Sequence, residues 1–275
     1  MMQNSNHILY VVVLYGQKYE MTNVYKSLLI KVSQRNVWIW DNSKNRDINA
    51  HLNFGKSNYS FSEVNVGLSF PYNCAGEYAF QNNYQWMMLL DQDTEFDTSF
   101  LNILNVSIRE NPNIKLFCPQ HRLLNNIYLS PVKSILKFTR LSRTQVSGVF
   151  NIADFCIINS GLVVNVATFR KVGGYNEKVF LDYSDFQFID RFAKVESKAF
   201  CINSVCIQDF SNNCIDKDKL LNRFSLFCES LKEISCNTLK DQISYKLVVL
   251  KRCMSLIIRL KNFSPLIILF KKYLR

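Results

Sequence analysis

A run of five apolar residues that ends at two closely spaced carboxylates constrains the fold of this chain most. Residues 86–90 are apolar, and Asp91-Gln92-Asp93 follows directly. Such a run predicts a strand buried on both faces. In an extended chain residues i and i+2 point the same way, so Asp91 and Asp93 can face one divalent cation. The pattern predicts a metal and phosphate site at the carboxyl edge of a sheet, and an Asp-containing turn is the alternative.

The N-terminal segment alternates apolar runs with a helical pattern. Residues 8–14 are apolar and rich in β-branched side chains, which predicts a central parallel strand. Between residues 20 and 32 apolar side chains recur at spacings of three and four, typical of an amphipathic helix. A second strand predicted at 37–40 ends at Asp41-Asn42-Ser43. This order of a strand, a helix and a strand, with polar residues after each strand, predicts a doubly wound α/β domain.

A loop containing glycine and asparagine follows a third short strand predicted at 59–63. Its glycines, Gly67 and Gly76, allow close approach of the backbone. Asn65 and Asn73 can hydrogen-bond a sugar or a base, and an ordinary loop and helix start is the alternative. Further along, the pattern predicts a helix to about residue 82, a helix over about 97–109 and strands at 114–118, 153–158 and 198–205.

The segment 119–150 has no clear period and contains five basic residues, Arg122, Lys133, Lys137, Arg140 and Arg143. A long basic connection in a compact domain is typical of a functional lid or binding loop. Solvated surface charge is the alternative, and the sequence leaves both open.

Length and composition predict one large globular domain or a domain with an appendage, in a reducing compartment. The chain has 275 residues, of which 48% are hydrophobic and 20% are charged. Its nine cysteines are odd in number and form no Cys-x-x-Cys pair, which favours reduced thiols in the cytosol. The N-terminus has no signal-peptide pattern, and no apolar run reaches the roughly 18 residues that a membrane span needs.

Positive charge is concentrated at the C-terminus. Residues 1–100 carry 7 basic and 9 acidic side chains, a net charge of −2, whereas residues 241–275 carry 8 basic and 1 acidic, a net charge of +7. The pattern of residues 216–275 predicts two or three helices, in which basic residues are interleaved with leucine and isoleucine. Basic amphipathic helices lie on anionic membrane surfaces, and a packed appendage with a solvated basic face is the alternative. Since this basic excess lies in apolar helices, nucleic-acid binding is not expected.

Five sequence features occur in a fixed order. They are the strand ending at Tyr15, then Asp41-Asn42-Ser43, the loop from Asn65-x-Gly67 to Asn73-x-x-Gly76, Leu89-Leu90-Asp91-Gln92-Asp93-Thr94, and the segment from Ser160-Gly161 to Asp185. Together they resemble the family 2 glycosyltransferases of the GT-A fold, and most the bacterial rhamnosyltransferase branch. The resemblance covers about residues 8–210 and implies an α/β, Rossmann-like nucleotide-diphospho-sugar transferase domain, with bounds expected at 1–212. The helical pattern after it predicts an appendage at 213–275.

The resemblance also implies roles for the polar residues at the strand ends. Asp41 would hold the nucleobase in a pocket lined by Tyr15, and Asp91 would bind the ribose or stand in the outer shell of the metal. Asp93 would bind Mg²⁺ or Mn²⁺, which neutralises charge on the leaving diphosphate. The full expected donor-nucleotide site comprises Tyr15, Asp41, Asn42, Asn65, Gly67, Asn73, Asp91 and Gln92.

Asp185 occupies the position of the general base in the resembling enzymes, with Asp182 as the second candidate. An inverting transfer needs one carboxylate to deprotonate the acceptor hydroxyl as it attacks the anomeric carbon. Two positions depart from the family pattern. Gln187 stands where relatives usually carry glutamate, and the chain has no histidine after His121, so Asp209 is the expected replacement metal ligand.

The expected function is an inverting, metal-dependent glycosyl transfer. The donor would be dTDP-rhamnose, with a UDP-linked hexose or galactofuranose as the alternative. The acceptor would be a lipid-linked O-antigen or capsule intermediate, reached from the inner face of the plasma membrane. A catalytically inactive sugar-nucleotide-binding partner of another transferase is an alternative of another class. A nucleotidyltransferase is disfavoured, because Tyr15-Gly16-Gln17-Lys18 offers only one glycine and one lysine to hold a triphosphate.

Overall fold

The computed structural model describes residues 7–52, 58–123, 125–208, 216–236 and 238–275. The strands are β1 (Ile8–Leu14), β2 (Val37–Asp41), β3 (Tyr59–Phe61), β4 (Trp86–Asp91), β5 (Thr94–Glu95), β6 (Leu116–Arg122), β7 (Tyr128–Ser130), β8 (Val132–Ile135), β9 (Phe138–Thr139), β10 (Gly148–Asn151), β11 (Phe155–Cys156), β12 (Val163–Asn165) and β13 (Lys198–Gln208). The α-helices are α1 (Asn23–Ser27), α2 (Ser69–Gln81), α3 (Phe100–Glu110), α4 (Val166–Val172), α5 (Ser184–Phe192), α6 (Lys217–Lys232), α7 (Leu239–Leu260) and α8 (Ser264–Leu269).

A ten-stranded mixed sheet forms the centre of the molecule, in the order β10-β13-β6-β12-β4-β1-β2-β3, with β5 on β13 and β7 on β6. Strands β4, β1, β2 and β3 are parallel, which is the arrangement that the apolar runs predict. Strand β12 is antiparallel to both β4 and β6. Strands β8, β9 and β11 form a separate three-stranded sheet.

The sheet is buried on both faces because alternate side chains of its central strands pack into different cores. In β1, Leu9, Val11 and Val13 belong to the core beneath α2, α4 and α5. Ile8, Val12 and their even-numbered neighbours belong to the core beneath α1 and α3. Successive side chains of a strand point to opposite faces of the sheet, so a strand in which every residue is apolar needs an apolar layer on each side. This requirement explains why the strand positions can be predicted from the sequence.

The region predicted as one helix over 20–32 is divided. A 3₁₀ turn at Tyr19–Met21, the short α1 and a second 3₁₀ turn at Leu29–Lys31 replace it. The break follows from hydrogen bonds to the loop after β4: the Val24 amide donates to the Gln92 carbonyl at 3.4 Å, and Ser27 Oγ accepts from the Phe96 amide at 3.1 Å. The Val24 amide thereby bonds to Gln92 instead of the carbonyl of residue 20, and Thr22 has extended angles (φ −68°, ψ 148°), so the prediction of a continuous helix was wrong.

The basic segment 119–150 also differs from its prediction. It contains β7, β8, β9 and the start of β10 in addition to most of β6, so it is a set of short strands. The predicted strand at 153–158 shortens to Phe155–Cys156 after a 3₁₀ turn at Ile152–Asp154. These strands have two to four residues each, too few to produce a visible alternation in the sequence.

The C-terminal helices form their own core and pack on the sheet domain. Phe224, Phe227, Val249 and Cys253 are buried there together with Val179 of the sheet domain. Side-chain caps start the two long helices: Asp216 accepts from the Asp218 and Lys219 amides, and Thr238 accepts from the Asp241 amide. Among the helices that the structure describes, none is both long and apolar enough to cross a bilayer.

Candidate active site

The carboxyl ends of three neighbouring strands meet at one edge of the sheet. Val13 of β1 pairs with Asp91 of β4, and Leu14, the next residue, pairs with Asp41 of β2. Residues that follow these strands therefore lie side by side, at the edge where open α/β sheets bind ligands.

Gln92, the residue between the two aspartates, joins β4 to β1. Its Oε1 accepts from the Tyr15 amide at 2.9 Å, and its Nε2 donates to the Tyr15 carbonyl at 3.3 Å. The next residue, Gly16, donates its amide to Ser43 Oγ at 2.8 Å, which extends the connection to β2. Tyr15 is 49% exposed, so its ring is available to line a pocket. Gln92 lies at the predicted donor site, but its side chain positions the Tyr15 backbone.

Asp91 and Asp93 differ in exposure. Asp91 is half-buried and its amide donates to Ser160 Oγ at 3.3 Å, whereas Asp93 is exposed and its carbonyl accepts from Asn23 Nδ2 at 3.0 Å. Ser160 is held in turn by Thr94 Oγ1 at 2.7 Å. This serine, which lies in the Ser160-Gly161 pair of the sequence, therefore supports the turn that presents both carboxylates.

His121 contacts the same turn through the Ser160 carbonyl. It is buried, and its Nε2 lies 2.7 Å from the Ser160 carbonyl. Burial lowers the pKa of His121 to about 4, so the ring is neutral at physiological pH. A neutral ring with Nε2 protonated can donate to that carbonyl, which gives His121 a role in positioning Ser160.

Asp41 does not reach the surface in this structure. The residue is 0% exposed, and its carboxylate accepts from the Ser43 amide at 2.8 Å, from Asn49 Nδ2 at 2.7 Å and from Tyr59 OH at 3.2 Å. A buried carboxylate with three donors is satisfied by the protein itself. Asp41 shapes the pocket wall through Ser43, Asn49 and Tyr59, and its direct contact with a nucleobase stays a prediction.

The asparagines predicted to contact the donor also bind protein groups. Asn42 Nδ2 donates to the Gly67 carbonyl at 2.9 Å, and Asn65 Oδ1 accepts from the Gly67 amide at 2.9 Å. Asn73 forms three bonds with the loop before α5, to the Tyr175 amide at 2.7 Å, the Tyr175 carbonyl at 3.0 Å and Glu177 Oε1 at 2.8 Å. These side chains fix loops around the site, and their role as donor ligands stays a prediction.

Gly67 is required by close packing at this point. Its φ is +77°, and a Cβ added there would lie 2.1 Å from the Phe180 carbonyl oxygen. The adjacent Leu68 amide donates to the same carbonyl at 3.0 Å. The start of α2 is thereby joined to the segment that precedes α5, which brings the 65–68 loop next to the loop carrying the predicted base.

Asp185, the predicted base, lies in the first turn of α5 and is half-buried. Desolvation raises the pKa of its carboxyl to about 7, although the Phe186 amide donates to Oδ1 at 2.8 Å and favours the charged form. A carboxyl group with a pKa near neutrality can exchange a proton at physiological pH. The site therefore contains one carboxyl whose environment suits acid–base chemistry.

Two buried tyrosines lie between the strand edge and α5. Tyr72 and Tyr175 have ring centroids 5.2 Å apart, and both residues are almost fully buried. Burial, followed by the negative charges of Asp91 and Asp185, raises the pKa of each phenol well above its ordinary value. Hydrogen bonds join the two carboxylate-bearing segments: the Asp91 amide donates to Ser160 Oγ at 3.3 Å, and Asn159 Nδ2 donates to Ser184 Oγ at 3.4 Å, next to Asp185. No sequence pattern indicated Tyr72, because an aromatic residue on a helix is usually a core residue.

Asp182, the second candidate base, is paired with arginines of the C-terminal helices. Arg223 Nη2 lies 3.2 Å from Oδ1, and Arg252 Nη1 lies 3.3 Å from Oδ2. Two guanidinium partners would compete with an acceptor hydroxyl for this carboxylate. Asp182 therefore serves as an anchor for α6 and α7.

Gln187, which stands where relatives carry glutamate, is buried on the next turn of α5. Its Oε1 accepts from Arg191 Nη2 at 3.1 Å. Arg191 also donates to the carbonyls of Val172 and Gly174 at the end of α4. A neutral amide is sufficient beside an arginine that already has carbonyl acceptors, so Gln187 contributes to the packing of α4 against α5.

Carboxylate oxygens are the metal ligands available at the strand edge. Asp91 and Asp93 supply hard oxygen donors, which suit Mg²⁺ or Mn²⁺. Within the described ranges no cluster of three or more His, Cys, Asp or Glu side chains could hold a metal unaided. Asp209, the third predicted ligand, lies outside the described residues, and Gln208 before it pairs with Thr94. The donors present fit a cation that takes its other ligands from a bound diphosphate and water.

Solved structures with the same fold are glycosyltransferases. A structure of GalNAc-T7 with UDP, GalNAc and Mn²⁺ has a TM-score of 0.56 at 12% identity and covers 80% of this chain. The chain spans about half of that protein, 47% of its length. Staphylococcus aureus TarS 1-349 with UDP-GlcNAc has a TM-score of 0.51 at 10% identity, covering 90% of this chain and 73% of that one.

A mannosyltransferase structure also has this fold. The mannosyltransferase PcManGT from Pyrobaculum calidifontis, in complex with GDP-Man and Mn²⁺, has a TM-score of 0.50 at 8% identity, covering 95% of this chain and 73% of that chain. No protein-family model matches the chain, and no curated protein matches it significantly. The comparisons confirm the predicted fold class: the chain has the α/β fold of the GT-A glycosyltransferases.

Proposed function

We propose that this protein is an inverting glycosyltransferase that moves a sugar from a nucleotide-diphosphate donor to an acceptor hydroxyl. The observation that carries the proposal is the hydrogen-bonded link between the strand edge and α5, from the Asp91 amide to Ser160 and from Asn159 to Ser184, the residue before Asp185. The strand edge at Asp91 is the donor side of the site, and α5 with Asp185 is the acceptor side. The GT-A neighbours bind nucleotide sugars, according to the complexes with UDP-GlcNAc and GDP-Man.

Donor binding at the strand edge relies on Asp91, Asp93 and the ring of Tyr15. Asp93, which is exposed, and Asp91 would hold Mg²⁺ or Mn²⁺. A cation bound there supplies charge neutralisation for the diphosphate that leaves. Gln92 keeps the Tyr15 backbone next to these carboxylates, and the Gly67 turn holds α2 against the loop before α5. The protein thereby holds the donor in one orientation and excludes water from its diphosphate.

The transfer step uses Asp185 as the proton acceptor. The acceptor hydroxyl oxygen forms a bond to the anomeric carbon, while the bond from that carbon to the diphosphate oxygen breaks. The hydroxyl proton passes to the Asp185 carboxylate, and the bonding electrons leave with the nucleoside diphosphate. Attack opposite the leaving group inverts the configuration at the anomeric carbon. A pKa of about 7 makes Asp185 a stronger base than an ordinary aspartate while it stays partly ionised.

The proposed donor is dTDP-rhamnose, on the resemblance of the motifs at 41–43, 65–76 and 160–185 to rhamnosyltransferases. A UDP-linked hexose or galactofuranose is the alternative, and the UDP-sugar complex of TarS supports a uridine donor. A catalytically inactive sugar-nucleotide-binding protein remains the alternative of another class, and the carboxyl groups of Asp91, Asp93 and Asp185 argue against it.

The proposed acceptor is a lipid-linked glycan at the inner face of the bacterial plasma membrane, with residues 1–212 as the catalytic domain and 213–275 as the membrane-facing tail. One face of α7 supports this proposal, since six apolar residues at helical spacing are exposed on it by 40–76%. Lys240, Lys246 and Lys251 flank this stripe at positions that suit anionic headgroups. We call it the α7 stripe: Leu239, Ile243, Leu247, Leu250, Met254 and Ile258.

Turnover against a panel of nucleotide sugars tests the proposal. The parent is compared with Asp93→Ala and Asp185→Asn, each with Mn²⁺ and with EDTA, and product is detected by mass spectrometry. We expect one donor to be consumed, and we expect each variant to lose at least about a hundredfold in kcat, within the range that general-base catalysis supplies. Asp97→Ala, an exposed aspartate after the same strand, is the matched control. Full activity in both variants would contradict the mechanism, and donor binding without turnover would favour the inactive alternative.

A further inference from the structure

A buried side-chain amide lies near the carboxyl end of β6. Gln120 is 1% exposed, and neither its Oε1 nor its Nε2 bonds to any group that the structure describes. The amides of Asn42, Gln92 and Asn159 at the same edge of the sheet all have protein partners. Buried amides are normally paired, because an unpaired one loses its hydrogen bonds to water without compensation. Gln120 therefore has bonding capacity that the fold does not use.

Strand pairing places Gln120 at the level of Asp91. Met88 of β4 and Phe117 of β6 both pair with Val163 of β12, and β12 is antiparallel to both strands. The strands β4 and β6 therefore run in the same direction, and Asp91 and Gln120 each lie three residues beyond these paired positions. Their backbones are two strand spacings apart, which is roughly 10 Å.

Gln120 and Asp91 also point to the same face of the sheet. Cys118 and Leu89, which precede them by two residues, both belong to the core beneath α2, α4 and α5. Alternate residues of a strand share a face, so the amide and the carboxylate both point towards this layer of helices.

The first turn of α5 packs on the same region. Val205 of β13 is the in-register neighbour of Gln120. Val205 and Phe186, the residue after Asp185, pack against one small buried cluster, which comprises Tyr128, Val132 and Cys156. Gln120 therefore adjoins both the strand edge that carries Asp91 and the helix turn that carries Asp185.

We propose that Gln120 binds hydroxyl groups of the sugar that is transferred and thereby orients its anomeric carbon. This inference rests on the proposed function, because it takes Asp91 as the donor side and Asp185 as the base. The sugar of such a donor is joined directly to the diphosphate and must meet the acceptor beside Asp185, in the region that Gln120 adjoins. A neutral amide offers an acceptor beside two donors, the combination that pairs with neighbouring sugar hydroxyl groups.

The amide of Gln120 is covered in this structure, so the sugar must displace neighbouring side chains to reach it. Changes of side-chain rotamer on binding are common, and the hydrogen bonds formed to the amide offset part of their cost. A site of this kind discriminates strongly, because a sugar without the matching hydroxyl groups leaves the amide unpaired.

Calorimetry in the presence of Mn²⁺ tests the inference by comparing dTDP-rhamnose with dTDP, which has the same nucleotide and no sugar. Gln120→Met keeps the approximate length of the side chain and removes the amide. We expect it to weaken dTDP-rhamnose binding at least about tenfold, which corresponds to about 1.4 kcal/mol. The affinity for dTDP should stay within about twofold of the parent. UDP-glucose and UDP are the second pair of probes, for a uridine donor.

Stability separates a binding role of Gln120 from a packing role. The urea midpoint of Gln120→Met should be no lower than that of the parent, because the substitution removes a buried amide that no described group pairs. Gln34→Met is the matched control. Gln34 is half-buried in the turn before β2, at the opposite edge of the sheet, so its substitution should leave the affinity for every probe unchanged.

The outcomes for the inference and for the proposed function are distinct. Equal weakening of dTDP and dTDP-rhamnose by Gln120→Met, or unchanged affinity for a nucleotide sugar that the parent binds, would overturn the inference alone. A lower urea midpoint with an unchanged ratio of the two affinities would assign Gln120 to packing and also overturn it. A parent that binds neither nucleotide sugar would contradict the proposed function, and the inference with it.

Discussion

The burial of Asp185 has opposite consequences for the stability of the protein and for the proposed proton transfer. Burial raises the pKa of its carboxyl from 3.8 to about 7, so the folded protein disfavours the charged form that the transfer step needs. The pKa of Asp185 is higher in the folded protein than in the unfolded chain. Ionisation of the buried carboxyl therefore costs no stability below about pH 4, costs more as the pH rises towards 7, and has its full cost above pH 7.

We therefore expect opposite effects of Asp185→Asn on stability and activity. At pH 8 the variant should be more stable than the parent by at least about 1 kcal/mol, because each pKa unit corresponds to about 1.4 kcal/mol. The difference should disappear near pH 4. In the parent, kcat/KM should rise with pH through about 7 and then level off, as the base becomes deprotonated. Urea unfolding at several pH values and a pH–rate profile are the measurements.

Asp97 provides a control of opposite sign. Its carboxylate accepts from the Ser99 amide at 2.8 Å and from Ser99 Oγ at 2.5 Å, and these hydrogen bonds lower its pKa. The stability that it contributes is present above the unfolded pKa and is lost as the pH falls through the folded pKa. At neutral pH, Asp97→Asn should either leave the stability of the protein unchanged or lower it. A stabilising effect of both substitutions at pH 8 would indicate a general charge effect and contradict the role of Asp185 burial.

At the scale of elements, α7 has two apolar faces with different partners. Tyr245, Val249 and Cys253 are buried against α6 and the sheet domain, whereas the α7 stripe on the opposite side is exposed. A water-exposed helix face is normally polar, and a continuous exposed apolar surface marks an interaction site. The lysines at its flanks match an anionic lipid surface.

We expect Leu250→Gln/Met254→Gln to weaken binding to phosphatidylglycerol vesicles by at least about tenfold, because each side chain loses part of the roughly 1.5–3 kcal/mol of apolar burial. Both residues are exposed, by 46% and 62%, so the fold should be unaffected. Met21→Gln/Ile30→Gln removes similarly exposed side chains from the sheet domain, at 55% and 59%, and should have little effect. Vesicle co-sedimentation measures both, and equal losses would argue against a specific stripe.

Elements that depend on local apolar pattern could be predicted from the sequence, and those that depend on tertiary hydrogen bonds could not. Strand β1 has the predicted bounds, because an unbroken apolar run is a strand only if the sheet is buried on both sides. The helix expected at 20–32 is divided because the Val24 amide bonds to the Gln92 carbonyl after β4 and Thr22 is extended. The burial of Asp41 could not be predicted, since its donors Asn49 and Tyr59 lie elsewhere in the chain.

In the candidate site, the position of the polar residues was predictable but their direction was not. Polar residues after parallel strands must lie at one edge, and the register of Asp41 and Asp91 agrees with this. Whether an amide side chain faces a ligand or a backbone group depends on the neighbouring loop. Asn65 and Asn73 turn to the Gly67 and Tyr175 backbones, which spacing alone cannot show.

At the scale of the whole molecule, the C-terminal helices are coupled to the loop that carries the base. Asp182 binds both Arg223 and Arg252, and the Tyr183 ring contacts Phe227 and Tyr245 with centroids 5.7 and 6.1 Å apart. Lys137 and Tyr245 also meet at the Asp190 carboxylate. Contacts of this number and burial should make the sheet domain and the tail unfold as one cooperative unit.

Two probes can test that cooperativity. The three tryptophans lie in β2 and β4, so their fluorescence reports on the sheet alone, whereas helical circular dichroism includes the long helices of the tail. We expect coincident urea transitions in the parent. Asp182→Asn should shift both together by about 1–3 kcal/mol, because hydrogen bonds to charged groups are lost at a side chain only 17% exposed. Lys178→Gln, which removes a more exposed ion pair, should shift neither appreciably, and two separate transitions would contradict the coupling.

The α7 stripe also has a practical consequence for the isolated protein. In the absence of lipid its apolar side chains face water, and the same surface on a second copy is the nearest substitute for a bilayer. Concentrated samples should therefore self-associate through this face, and a mild detergent should return them to monomers by covering it. Kinetic measurements made without lipid or detergent would then describe an aggregate in which the acceptor side, near Asp182, is crowded by neighbouring molecules.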